Sequence, residues 1–336
     1  MSFYIFSIFY SYFVSFTSRY YTKFIFPLLV LPLVLFSAFR GVSGKDTSTY
    51  IARFFNSSLF SNGFSLDSEP VITSIIEFSR FFDRGDPFYF FLFHAVIVTT
   101  CFYFIARNFE KSKFYLLTVG VVFLIDGITN GMRITLAYHF FVLALVSNKR
   151  MIFYSLAVFS QLTIVFSIFL EYMLRKWSEL SILRRLVFVF LLSIFMVLLF
   201  ILKDHVLFYL PRVDSKIEVY SGMTLSTRYS GIADIYIMFG LLLLASLYNR
   251  SSFKRFLLDL PIIMAFCAIT FMSTSLSLAF IRVFKLLIIA LCFSPLLLNP
   301  KRKIPTWLVF LLGIPYTLNF IRQVITNDGF LPYGDF

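Results

Sequence analysis

Apolar runs follow one another along most of this chain with only short polar joints between them, and no soluble domain could bury that much of its own sequence. About twelve runs can be placed, at roughly 2–17, 24–39, 88–106, 114–129, 132–147, 151–160, 162–174, 186–202, 229–248, 256–274, 276–298 and 304–321. Only 14% of the 336 residues are charged, against about 25% in a soluble domain, and the mean hydropathy is +0.86. In lipid, each segment must satisfy its own backbone N–H and C=O groups, so the expectation is an all-α integral membrane protein. A full crossing takes about 20 residues. The runs 151–160 and 162–174 are too short for two crossings, and they are expected to be broken or re-entrant helices meeting at "FSQLT". No repeat of 20–50 residues divides the chain. Residues 1–336 therefore read as a single polytopic membrane domain with about 10–12 transmembrane or re-entrant helices.

The joints carry the topology. Those at "SRYYTK", "ARNFEKSK", "NKR", "RKWSELSILRR", "NRSSFKR" and "PKRKIP" are short and strongly cationic, which assigns them to the cytoplasm. The alternate set is residues 40–87, the turn "TNGMR", residues 203–228 and the tail 322–336. These joints are mostly longer, have mixed charge, and are expected outside. The alternation holds if 151–174 enters and leaves on one side. The first cations, Arg19 and Lys23, follow the first apolar run, and no small-residue cleavage site is present. That predicts an external N-terminus and no removable signal peptide. Loops 40–87 and 203–228 are long enough to cap the outer face. Within the first of them, "VITSIIEFSRFF" has the spacing of a helix lying along the interface.

The net charge of +13 reads as this inside bias, and with no soluble basic domain a nucleic-acid partner is not expected. Cys101, Cys267 and Cys292 sit in apolar runs without metal spacing, and His94, His139 and His205 are scattered. Neither a metal site nor a disulfide is expected. No phosphate-binding glycine loop, dinucleotide fingerprint or GxSxG elbow appears, so no cofactor is expected.

The informative charges are those that the inside bias does not explain. Arg282 would lie roughly 9 Å deep in its helix at about 1.5 Å per residue, with Lys285 on the same face. An intramembrane cation usually faces a cavity, a partner or a substrate, although both side chains could instead snorkel or pair with an acid. Arg133 follows the Asn130–Gly131 turn at the outer start of a helix, where its charge opposes the helix dipole. It either anchors the turn or meets an anion. Arg40 and Lys45 flank Gly41 and Gly44 where the chain leaves the membrane. Asp46 precedes a Thr-Ser-Thr run, and caps the helix through Tyr50 and Phe54 or acts as a base. Glu69, before Pro70, has the same two readings.

Several of these segments together resemble the EpsG-type exopolysaccharide polymerases, which are related in function to the Wzy O-antigen polymerases. "FRGVSGKDTSTY" resembles that family's Arg…Gly-Thr-Asp…Tyr loop, and "SEPVITSIIEFSRFF" its Glu-Pro segment. "NGMRITLAYHFFVLAL" resembles its Arg-Gln…Ala helix, "AVFSQLTIVFSIFL" its broken helix, and "AFIRVFKLLIIAL" its late arginine-bearing helix. Lys45 stands where the family has Thr, Ile134 where it has Gln, and Gln161-Leu-Thr163 where it has His-x-Ser. Gln161 can make hydrogen bonds but cannot shuttle a proton at neutral pH.

The resemblance implies a glycosyltransferase at the outer face of the bacterial inner membrane. It would transfer a growing glycan from polyprenyl pyrophosphate to a second lipid-linked repeat unit, in O-antigen, capsule or exopolysaccharide synthesis. A separate chain-length regulator is an implied partner. Arg40, Lys45, Tyr50, Arg133, Gln161, Arg282 and Lys285 would bind the pyrophosphate or glycan, and Asp46 or Glu69 would be the base. Guanidinium groups suit a leaving pyrophosphate because they stay charged and bind phosphate oxygens in pairs. A flippase for lipid-linked oligosaccharide would use the same arginines, and a membrane acyltransferase is a third reading.

Overall fold

Seven helices account for most of the described residues, and their ends are what assemble the site. In this computed structural model the described residues are 2–17, 24–43, 47–56, 69–108 and 131–162, with a few positions between 164 and 194 and between 318 and 325. The helices are α1 (Ser2–Phe16), α2 (Ile25–Ala38), α3 (Thr47–Asn56), α4 (Pro70–Arg80), α5 (Phe88–Asn108), α6 (Met132–Val146) and α7 (Arg150–Ser160). No strand occurs among the described residues. The chain divides into two compact units, Met1–Val165 with Phe293–Phe336, and Phe166–Cys292, and all seven helices belong to the first. The expected runs 114–129, 229–248, 256–274 and 276–298 and the loop 203–228 lie outside the described residues.

α5 is the one helix among the described residues that is long and apolar enough to cross a membrane, over Phe88–Ile105. Its 21 residues extend about 32 Å at about 1.5 Å per residue. α1, α2 and α6 are apolar but shorter, at 15, 14 and 15 residues, or about 21–22 Å. α2 carries Pro32 in its interior, which removes one backbone donor. The Tyr10 hydroxyl of α1 donates to the neighbouring Leu29 carbonyl at 2.9 Å, so the weakened stretch is tied to the adjacent helix.

Ring contacts fix the helix directions. Tyr4 meets Phe36 at 5.9 Å while Tyr10 reaches Leu29, so α1 and α2 run antiparallel. Phe26 meets Tyr103 at 4.8 Å and Phe39 meets Phe88 at 5.0 Å, so α2 and α5 do the same. α6 and α7 form a short-looped hairpin closed by Phe141 and Tyr154. The C-terminal end of α2 and the N-terminal ends of α5 and α6 therefore lie together. The "NKR" joint, between α6 and α7, lies at the far end of α6.

The described residues of loop 40–87 include two helices, α3 and α4, and α4 is the helix expected there from its spacing. Its Ile72, Ile75, Ile76 and Ser79 are buried, and it packs on α5 and α7, while Phe78 and Phe81 stay exposed. The break at "FSQLT" is also present: α7 stops at Ser160 and Gln161 is extended. Eleven residues carry α7 only about 16 Å, so Gln161 sits partway along the bundle.

Ile76 is fully enclosed, and truncating it leaves a cavity that α4 and α5 cannot fill by a small shift. Ile76→Ala should lower stability by about 2 kcal/mol, read as thermal unfolding in detergent. Phe81→Ala, at an exposed position, should change it by less than about 0.5 kcal/mol.

Candidate functional site: two arginines on one carboxylate

The turn that leaves α2 sets the first side chain. Gly41 has φ 60°, in the left-handed region that costs an L-residue about 1–2 kcal/mol, so a glycine here fits the chain's change of direction. The turn closes with the Ser43 hydroxyl and backbone N–H both donating to the Arg40 carbonyl. Thr47 then donates through Oγ1 to the Ser43 carbonyl at 2.6 Å, which starts α3 directly beyond it. Lys45 and Asp46 lie outside the described residues, as do Arg282 and Lys285.

α3 presents Tyr50 and Arg53 on one face, three residues apart. Tyr50 is buried against Phe90 of α5, with its hydroxyl directed at α6. That hydroxyl accepts from Arg133 twice, from the backbone N–H at 3.3 Å and from Nε at 3.4 Å. The guanidinium carbon lies 5.8 Å from the centroid of the Tyr50 ring.

Glu69 completes the arrangement. Arg133 Nη1 donates to Glu69 Oε1 and Oε2, both at 3.0 Å, and Arg53 Nη1 donates to Oε2. One carboxylate thus joins α3 to α6 with three hydrogen bonds, against about four lone-pair sites. Its side chain makes no capping bond to α4, although the residue occupies the N-cap position. Glu69 also has φ 50° and ψ 71°, a left-handed conformation without a glycine and directly before a proline. Such a conformation costs about 1–3 kcal/mol and persists only where surrounding contacts impose it. Here those contacts are the two guanidinium groups.

Arg133 is the side chain of this group that reaches outward. It is 34% exposed, against 20% for Arg53 and 11% for Glu69. Nε and Nη1 are committed to Tyr50 and Glu69, while Nη2 makes no hydrogen bond among the described residues. A guanidinium held at two nitrogens with the third free is a pre-set donor for an anion oxygen.

Arg40 is placed differently. It is 1% exposed, with its guanidinium 3.9 Å from the Phe91 centroid and Nη2 donating to Met132 Sδ at 3.0 Å. Gln161 is fixed at the end of α7 by its N–H bond to the Ala157 carbonyl. Sequence reasoning had not placed Arg53 in the site, although its i+3 spacing from Tyr50 was a usable signal. His94 and Met132 were missed as well. Each has the appearance of an ordinary core residue, and no local pattern marks them. Among the described residues no group of His, Cys, Asp and Glu could hold a metal.

The described part is thus a helical protein whose cationic, carboxylate-braced site lies where helix ends meet beside one membrane-length helix. The family comparison agrees with the earlier resemblance: the model of the EpsG family matches residues 23–334, and the chain belongs to that family. No curated protein and no solved structure matches it.

Glu69→Gln keeps the shape but leaves two guanidinium groups without their shared charge. Stability should fall by about 1–3 kcal/mol. In a double-mutant cycle with Arg133→Met the two losses should be clearly non-additive, read from denaturation midpoints in detergent.

Proposed function

We propose that the protein is a polysaccharide polymerase of the membrane. It transfers a growing glycan from a polyprenyl pyrophosphate carrier to the terminal sugar of a second lipid-linked repeat unit. The observation that carries this reading is Arg133, fixed by Tyr50 and Glu69 while its side chain stays 34% exposed and Nη2 makes no hydrogen bond among the described residues. Membership of the EpsG family supports the same chemistry. In this reading the chain is a single polytopic domain of the inner membrane with its site toward the periplasm or exterior. The cationic joints support that orientation.

The reaction breaks the bond between the anomeric carbon and a phosphate oxygen, and forms one from that carbon to an acceptor hydroxyl oxygen. Negative charge grows on the departing pyrophosphate, so fixed cations lower the barrier there more than in the ground state. Arg133 meets that charge, and Arg53, on the same carboxylate, adds a second guanidinium beside it. Glu69 aims both groups, and its two oxygens already accept three hydrogen bonds from them. The proton of the acceptor hydroxyl then falls to Asp46, the carboxylate immediately before α3 in the chain. Lys45, Gln161, Arg282 and Lys285 are proposed as further contacts to the substrates, on the strength of the family resemblance. The chain-length regulator is likewise a proposed partner.

Arg133→Ala in a cell that makes the polymer should reduce long chains by about 10²-fold or more, the usual loss on removing one charge-stabilising donor. Arg133→Lys should restore only part of this, because an ammonium cannot keep both the Tyr50 and Glu69 bonds and still reach outward. Single repeat units should still be exported and attached to their final acceptor. Units trapped on the inner side would identify a flippase instead, and full-length polymer from Arg133→Ala would remove Arg133 from the site.

A further inference from the structure

We infer that Arg40 and His94 form a buried latch on Met132 that sets the position of Arg133, so that both act as positioning residues. The ligand arm of this inference rests on the proposed function, while its structural arm does not. Met132 is fully buried and is the first residue of α6. It is gripped at two different atoms from two different segments, the turn after α2 and the body of α5. Arg40, just past α2, donates from Nη2 to Met132 Sδ at 3.0 Å, and His94 of α5 places Nε2 3.1 Å from the Met132 carbonyl oxygen. A carbonyl only accepts, so Nε2 carries the proton. Among the described residues this is the only hydrogen bond of the His94 ring, which is itself fully buried.

The two contacts act together because one holds the side chain and the other the main chain. Neither can be kept if the first turn of α6 rotates about its axis. The phenyl face of Phe91, on α5 with His94, supports the Arg40 guanidinium, so the latch joins α2, α5 and α6 through one methionine. Arg133 is the next residue, and its backbone N–H and Nε both depend on where that turn stands relative to Tyr50. A rotation of about 10° would move a side-chain tip by roughly 1 Å on a helix about 10–12 Å across. That is enough to break hydrogen bonds of 3.0–3.4 Å to Tyr50 and Glu69. A misplacement of this size at a reacting centre can cost about 10²-fold in rate.

Two substitutions at His94 separate positioning from space filling. His94→Phe keeps a ring and loses the donor, and His94→Gln returns an N–H donor without a ring. The full-length protein in lipid nanodiscs would be titrated with inorganic pyrophosphate, and hydrogen exchange would be followed in peptides covering residues 131–138. His94→Phe should bind pyrophosphate about 10-fold more weakly than wild type, and His94→Gln within about 3-fold of wild type. In an Arg133→Ala background His94→Phe should cause no further loss. Exchange over 131–138 should quicken in His94→Phe and return in His94→Gln, whether or not pyrophosphate binds. Met132→Leu, which keeps the volume and removes the sulfur acceptor, should quicken the same exchange and keeps the inference testable if His94→Phe does not fold. Unchanged exchange in both His94→Phe and Met132→Leu would overturn the latch. So would a His94→Gln protein as impaired as His94→Phe, since the ring would then be packing alone. Failure of the wild type to bind pyrophosphate would instead count against the proposed function, and the exchange data would judge the latch by themselves.

Discussion

One carboxylate, that of Glu69, accepts hydrogen bonds from two guanidinium groups that reach it from helices about eighty residues apart, and one end of the bundle is arranged around this contact. Without the carboxylate, Arg53 and Arg133 would repel each other across a small, poorly solvated gap. With it they become a pair of fixed cations whose separation is set by the width of one carboxyl group. The left-handed backbone at Glu69 is consistent with that function, because it directs the side chain away from the helix that it begins. Local backbone preference is overruled by an electrostatic contact between distant segments.

The helices make the contact possible by where they start and stop. α2 ends, and α5 and α6 begin, at one end of the bundle, and the charged and hydroxyl-bearing residues of the site come from those ends and from α3 and α4 beside them. Within a helix interior such groups would have to be paired against an apolar environment. At the ends they can combine burial, which strengthens their bonds, with one open direction. Arg133 uses both features. Arg40 uses only the first, and its burial over Phe91 turns a loop cation into a tie between helices.

Part of this cluster carries a signal in the chain alone, for a reason that can be stated. Arg133 and Glu69 stand out because a cation at the start of a helix and an acid before a proline lie in joints that the inside bias does not account for, whereas Tyr50 entered through the family resemblance. The helix over Thr47–Asn56 followed from the capping run that begins at Asp46, and the break at Gln161 from the lengths of adjacent apolar runs. Arg53 was legible in principle by its spacing from Tyr50. Arg40 shows the limit. Its position at a charged exit from an apolar run points equally to solvent, to a ligand or to the interior, and only neighbouring helices distinguish these. His94 and Met132 carry no mark at all, because their part depends on one carbonyl and one sulfur lying opposite side chains from other helices.

The helical class, the positions of α1, α2, α4, α5 and α6 to within a few residues, and the family to which the chain belongs were all determined by the sequence. Apolar run length and residue spacing are local quantities, and helices answer to local rules. Tertiary structure decided which arginine faces outward and which is buried, and which two share a carboxylate. It also decided that a methionine would connect three helices. Those outcomes depend on contacts between residues separated by tens of positions, where a turn of a few degrees decides whether a bond forms. No periodicity along the chain records that angle.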